Sequence, residues 1–430
     1  MTQHSIHADR CTQPVRLHGR VDRLDGATGE LLHRYSTARE PGRVLLMPCK
    51  TRRASRCPSC AETYRADTYQ LIRAGLTGGK GVPASVAAHP CLFVTLTAPS
   101  FGAVHSRREK NGRPLPCRPR RAGGTCPHGR PVACNERHHA DDARIGAPIC
   151  PDCHDYTGAV LFNATAPELW RRFTIGLRRV LARLTGITQK ELREQARVSF
   201  AKVAEYQRRG VVHFHAVIRL DGPEGPGTPP PPWATAGLLA RAITAAAGNA
   251  TVTTPRSASV ASRAHRWGAQ LDIRAITMDG ELTDNAVAGY VAKYATKAAE
   301  CTGTLDRRIT RADNLDTLPV SPHARRLIAE CLRIGQVPEL AYLRTAHWAH
   351  MLGFRGHFST KSRAYSTTLG KLRAARADHA RAQHADDIPD GETVLVVAHW
   401  RFVGLGRLDD GPPIPARSIP PTRQERGEQP

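Results

Sequence analysis

Hydrophobic alternation is clearest between residues 196 and 220. ARVSFAKVAEY (196–206) and VVHFHAVIRL (211–220) place apolar side chains at every second position, the period of a half-buried strand. The intervening QRRG predicts a tight turn, and hence an antiparallel hairpin. CLFVTLTAP (91–99) reads as a further strand, β-branched and aromatic until proline stops it, and LDIRAIT (271–277) as another. A 3.6-residue period marks helices in ETYRADTYQLIRAGL, from APELWRRFTIGLRRVLARLTG onward, near 234–247, and from about Asn285 to Glu300. In the second of these Leu169, Phe173, Leu177, Val180 and Leu184 form one stripe, with Arg171, Arg172, Arg178, Arg179 and Arg183 mostly off it. Residues 1–40 show neither period and read as irregular; TGGKGVPASVAAHP (77–90) reads as a linker. Periodicity also vanishes from about His105 to Tyr156, and the terminal PPIPARSIPPTRQERGEQP is expected to be disordered.

Charge adds a partner to this outline. The chain carries 62 Lys+Arg against 38 Asp+Glu, a net charge of +24, and only nine of the bases are lysines. So basic a chain calls for a polyanion, most simply nucleic acid. Within RRFTIGLRR and FRGHFSTKSRAY, the side chains of Arg171, Arg172, Arg178, Arg179, Arg355, Lys361 and Arg363 are expected to contact phosphates, and the interleaved aromatics to stack on unpaired bases. No run of eighteen apolar residues appears, so no membrane partner is expected. The opening MTQHSIHADRC lacks the apolar core of a secretory signal, which predicts a cytoplasmic location.

The hairpin carries chemistry. Val212, Phe214, Ala216, Ile218 and Leu220 face one way, leaving His213 and His215 together on the other. A turn centred on Arg209 pairs residues whose numbers sum to 418, which sets Glu205 opposite His213 on the same face. Two imidazoles and a carboxylate leave about three positions of an octahedral ion open, which suits Mg2+ or Mn2+ engaging a phosphate. Gln207 shares that face and is the substitute ligand if the register slips. A histidine pair alone is weak evidence; the glutamate across the hairpin strengthens it.

GYVAKYATKAAE (289–300) puts Tyr290 and Tyr294, and likewise Lys293 and Lys297, four residues apart on one broad helix face, with Thr283 or Asp284 as N-cap. A phenol, with an ordinary pKa of about 10, is a poor nucleophile at neutral pH. A neighbouring cation and ammonium groups stabilise the charge it develops. An amphipathic helix with two half-packed tyrosines is the plainer alternative.

Twelve cysteines in a cytosolic chain read as metal ligands. Cys126, Cys134, Cys150 and Cys153 are spaced for a tetrahedral Zn2+ ion, with His128, His138 or His154 able to replace one and Cys117 a nearby spare. Cys49, Cys57 and Cys60, closed by Cys11, form a second possible site. About two structural zinc ions are therefore expected. Cys91, Cys301 and Cys331 read as buried thiols.

Phe93-Val-Thr-Leu-Thr97, His213-Phe-His215 and Tyr290-Val-Ala-Lys-Tyr294 occur in the order of the three motifs of the HUH endonucleases. The whole chain, including CPHGRPVAC and HMLGFRGHFSTKSRAYSTT, resembles the rolling-circle replication initiators of actinobacterial plasmids and integrative elements. The resemblance implies an α+β fold: a ferredoxin-like core whose central antiparallel sheet presents the histidine pair, with the tyrosine helix against it. It implies metal-dependent attack by tyrosine on single-stranded or extruded origin DNA, giving a 5′-phosphotyrosine link and a 3′-OH primer. Tyr294 is the expected first nucleophile and Tyr290 its relay, with Glu205 resting on the hairpin geometry. The cysteines between the first two motifs mark an inserted zinc module. The organisation expected is an N-terminal Cys region (1–88), a nuclease core (89–300) with a zinc insertion (105–156), a basic region (301–400) and a mostly disordered tail (401–430). No GxxxxGK[ST] phosphate loop is present, so any helicase must come from elsewhere; a host helicase and polymerase are the expected partners. A transposase or relaxase with the same core, or a zinc-containing DNA-binding regulator without catalysis, are the alternatives.

Overall fold

A computed structural model of the protein describes residues 10–120, 123–276, 283–296, 302–310, 313–382 and 394–407. The chain divides into two compact units, Met1–Tyr64 with Gly370–Pro430, and Arg65–Leu369. The boundaries expected at 88/89 and 300/301 both fall inside the second unit.

In the first unit the strand Val15–Asp25 pairs antiparallel with Val394–Leu405 on one side and with Leu31–Ser36 and Leu45–Met47 on the other. Residues 15–36 are thus largely strand, not irregular, and residues 401–405 belong to a strand, not to a tail. The partner of Val15–Asp25 comes from the far end of the chain, and much of the strand is partly exposed, so its local pattern is weak. The terminal segment from residue 408 lies outside the described residues.

The second unit is built on a five-stranded antiparallel sheet. Its strands are β1 (Cys91–Leu96), β2 (Arg197–Tyr206), β3 (Val212–Asp221), β4 (Leu271–Ala275) and β5 (Ser359–Lys361), in the spatial order β4-β1-β3-β2-β5. Mixed α and β structure with antiparallel sheets is as expected. β5 extends the sheet from within the supposed separate basic region. Residues 77–90 are no linker: they contain a bridge between Gly79 and Val82 and a turn of 3-10 helix that buries Val86.

Helix α1 (Tyr156–Thr185) and helix α2 (Ala236–Asn249) cover one face of the sheet. Phe214, Ala216, Ile218 and Leu220 of β3 meet Phe173 and Leu177 of α1 and Leu239 and Ile243 of α2 in the main core. Each large apolar side chain so buried contributes roughly 1.5–3 kcal/mol. α1 begins ten residues before APELW, with the Asp155 carboxylate accepting from Gly158 N as its cap. Residues 158–166 are buried all round, so no amphipathic stripe announces that half.

Asn163 of α1 is fully buried and ties the hairpin down. Its Nδ2 donates to the carbonyls of Gly210 and Leu352, both at 2.9 Å, and its Oδ1 accepts from Val212 N at 3.0 Å. Asn163→Leu leaves these backbone groups unpaired, and a loss of about 3 kcal/mol is expected in urea denaturation followed by tryptophan fluorescence.

Helix α3 (Asp284–Ala295), capped by Thr283 Oγ1, packs on β2. Helix α4 (Pro322–Ile334) joins the core through Leu327, Ile328 and Cys331, the last a buried thiol as expected; Cys301 lies outside the described residues. Among the described residues no helix is long and apolar enough to cross a membrane.

Candidate active site

The β2–β3 turn sets the register of the site. Gln207 N donates to Val211 O and Gly210 N to Gln207 O, both at 2.9 Å. Gly210 has φ 79°, and a Cβ there would lie 2.4 Å from Leu327 Cδ1, so both backbone and packing require glycine. The resulting register places Glu205 opposite His213, as the turn predicts. On the other flank β1 places Thr95 opposite His215.

Three atoms that could hold a metal ion converge on this face. Glu205 Oε2 lies 2.9 Å from His213 Nε2 and 3.0 Å from His215 Nε2, and the two Nε2 atoms are 3.2 Å apart. Two imidazole nitrogens this close cannot both present lone pairs to one another unless a proton or cation lies between them. Thr95 Oγ1 is 3.0 Å from His215 Nδ1, so the hydroxyl can accept the Nδ1 proton and leave the Nε2 lone pair for a cation. Phe93 stacks on the same imidazole, ring centroids 5.7 Å apart. Thr95 and Phe93 sit two residues apart in the first motif, yet only the β1–β3 pairing shows that they serve His215.

Burial pulls the His215 pKa below its ordinary value, which keeps the ring neutral and able to ligate at neutral pH. Burial pushes the Glu205 carboxyl up, but the His213 and His215 imidazoles against it, which donate when no cation takes their Nε2 atoms, outweigh it and hold the group down at about 2. An N2O donor set, neutral imidazoles and an ionised carboxylate fit a divalent ion.

Helix α3 brings both tyrosines to the cluster. Tyr290 Oη is 3.1 Å from His215 Nε2, and the Tyr294 ring stacks on His215 at 6.0 Å between centroids and 30° between planes. The two phenol rings are 4.6 Å apart. Burial, reinforced by the Glu205 charge, raises the Tyr290 pKa well above its ordinary value, so this phenol is protonated when no cation offsets the carboxylate. Lys293 is exposed, its Nζ 5.7 Å from the Tyr294 ring centre. Lys297 lies outside the described residues.

At the hairpin tip, two residues beyond Glu205 along the chain, lies a cleft edged by arginines. Gln207 and Arg209 line two adjoining hollows of about 460 and 370 Å3, with Arg107 and Arg208 in the first and Arg118 in the second. Arg209 itself is structural: it donates to the carbonyls of Ala98 and Pro99 at 2.9 and 2.7 Å. The arginines expected to touch DNA are placed elsewhere. Arg171, Arg172, Arg178 and Arg179 project from the side of α1 turned away from the sheet, behind the face that carries Glu205, His213 and His215, and Glu168 pairs with the first two. Arg355 donates to Tyr342 O, Arg363 is exposed, and Lys361 Nζ is held by the carbonyls of Ser362, Arg363 and Ser366.

The comparisons with known proteins agree along nearly the whole chain. The RepSA family model, described as replication initiator protein, pSAM2, matches residues 1–419. The chain belongs to the RepSA family of plasmid replication initiators. A replication initiator protein of Streptomyces ambofaciens is 52% identical over 404 residues, covering 91% of this chain and 83% of the relative. No solved structure matches.

The initiator's cysteines form clusters that could hold zinc; the N-terminal quartet is the expected one, and in the insertion His128, an expected replacement, stands where Cys134 was expected. In the first unit the thiols of Cys11, Cys49, Cys57 and Cys60 lie within 4.8 Å of one another, so Cys11 does close this set. In the insertion Cys126, Cys150 and Cys153 are joined by His128, whose Nδ1 is 3.3 Å from Cys153 Sγ. Cys134 is not their fourth member. Paired with Arg118 in an isolated bridge, it turns its thiol toward Cys117, His105 and His138. His154, a possible substitute, belongs to no cluster among the described residues, and its ring packs on Tyr156 and His323.

Proposed function

We propose that this initiator is a metal-dependent HUH nickase and strand transferase that starts rolling-circle replication at its plasmid origin. The observation that carries the reading is the convergence of Glu205, His213 and His215 with the Tyr290 hydroxyl, 3.1 Å from His215 Nε2, on one sheet face. A DNA-binding regulator needs neither the ligand set nor the phenols. The central antiparallel sheet with helices on one face and the tyrosine helix on the other suits the ferredoxin-like core of that superfamily.

Glu205, His213 and His215 would hold Mg2+ or Mn2+, which supplies Lewis-acid polarisation of the scissile phosphodiester. The chain's own groups do the rest. Thr95 fixes the His215 tautomer and Phe93 its ring plane. A tyrosine loses its phenolic proton and forms an O–P bond to the scissile phosphorus, which stays on the 5′ end of the downstream strand. The P–O3′ bond breaks, and the 3′ oxygen takes up a proton to become the primer for host polymerase, with a host helicase opening the duplex. Tyr290, the phenol nearer the ligands, makes the first cut and Tyr294 takes the closing transfer, the reverse of the order expected from sequence. Lys293 and Lys297 offset charge on phenolate and phosphorus. Zn2+ on Cys11, Cys49, Cys57 and Cys60, and on Cys126, His128, Cys150 and Cys153, orders segments that lack an apolar core.

The test is incubation with a single-stranded origin oligonucleotide and Mn2+, read on a denaturing gel. Protein-linked DNA that disappears with EDTA supports the nickase. A shift confined to native gels supports the regulator. The arginine-edged cleft at the hairpin tip suits the DNA strand flanking the nick. Arg208→Ala is expected to weaken oligonucleotide binding several-fold and to reduce the slope of log affinity against log salt by about one, measured by fluorescence anisotropy.

A further inference from the structure

One cluster in the insertion has no part in the chemistry above. His105, Cys117, Cys134 and His138 bring four ligand atoms within 4.8 Å of one another, with Cys117, Cys134 and His138 buried. His138 Nε2 lies 3.2 Å from His105 Nδ1 and 3.6 Å from Cys134 Sγ. On its other side His138 Nδ1 is 2.7 Å from Asp142 Oδ2, and Arg144 grips that carboxylate through Nη2 and its backbone N–H, each at 2.9 Å. A carboxylate behind a histidine holds the proton on Nδ1 and aims the Nε2 lone pair forward, the outer-shell arrangement of metal-ligating histidines. Ser106 N–H points at Cys117 Sγ at 3.2 Å, as backbone donors do toward thiolates. The backbone holds the two cysteines side by side: Cys117 N donates to Glu136 O at 2.8 Å and Arg118 exchanges two bonds with Cys134. Apolar packing does not explain the cluster, because none of its four residues belongs to the main hydrophobic core.

We infer that the insertion holds two zinc ions, the second in a Cys2His2 site made by His105, Cys117, Cys134 and His138. Two thiolates neutralise Zn2+ outright, which suits a buried site, and the mixed sulfur and imidazole donors select zinc over the hard ions. The site also fixes one wall of the cleft at the hairpin tip. His105, Ser106 and Arg107 line that cleft, and Ala140 O, between His138 and Asp142, accepts from Arg208 Nη2 at 2.8 Å.

The measurement uses the full chain carrying His215→Ala, so that the histidine pair retains no zinc. Elemental analysis is expected to find three zinc ions per chain, and X-ray absorption a first shell of nine sulfurs to three nitrogens across the three clusters. Two zinc ions with seven sulfurs to one nitrogen would overturn the inference. Adding Cys117→Ala should remove one equivalent and move the shell toward that seven-to-one composition; an unchanged count would contradict the assignment. If that variant does not fold, the shell composition of the parent decides.

Discussion

Tyr290→Phe combined with Tyr294→Phe is expected to abolish the covalent protein–DNA adduct, a fall of about a thousandfold or more, while oligonucleotide affinity changes less than about twofold. The asymmetry follows from placement. Both phenols lie at the face that carries Glu205, His213 and His215, Tyr290 Oη 3.1 Å from His215 Nε2 and the Tyr294 ring stacked on the same imidazole, and the double variant keeps both rings. Of the single variants Tyr290→Phe is expected to cost the first cut most, because its oxygen sits against the ligand set. Tyr294→Phe should preserve adduct formation and impair the joining that ends the round. Quantified gels of adduct and rejoined product separate the two steps.

His215→Ala is the second large effect, with a loss of Mn2+-dependent cleavage of about a thousandfold expected. His215 is at once a proposed ligand, the partner of Thr95 and the ring between Phe93 and the tyrosines, so its loss would remove a donor and loosen the proposed first nucleophile. Calorimetric titration with Mn2+ should show the loss of affinity directly. The pH dependence has a definite sign. Only the neutral ring ligates, and burial depresses the His215 pKa, so Mn2+ binding should persist below pH 6.5 and fall as pH drops through that depressed value. A profile that lost half its binding above pH 6.5 would place the ring in a wetter setting than this sheet face.

The hairpin was legible in the sequence because everything needed to read it is local. A short turn fixes the register, alternation fixes the face, and together they put Glu205 opposite His213. Thr95 was not legible in its role, since strand β1 lies more than a hundred residues away and its register against β3 is set by packing on the far face. The same limit hid the pairing of Val15–Asp25 with Val394–Leu405. Zinc-ligand spacing misled for a different reason. Cys126 and His128 form one knuckle and Cys150 and Cys153 another, whereas Cys134 reaches His138 four residues on and Cys117 across a bridge. Spacing finds knuckles but not which two of them come together. Of the arginine-rich segments, Arg171 and Arg172 lie on the exposed side of a helix and pair there with Glu168.

Mass spectrometry of the trapped adduct tests the central assignment most directly. Trypsin cuts after Lys293, which separates Tyr290 from Tyr294 and lets each phenol be scored alone. After incubation with single-stranded origin DNA and Mn2+, nuclease trimming and digestion, the peptide ending at Lys293 should carry a nucleotide 5′-phosphate on Tyr290. DNA cleaved to a free 5′-phosphate with both tyrosine peptides unmodified would contradict the account.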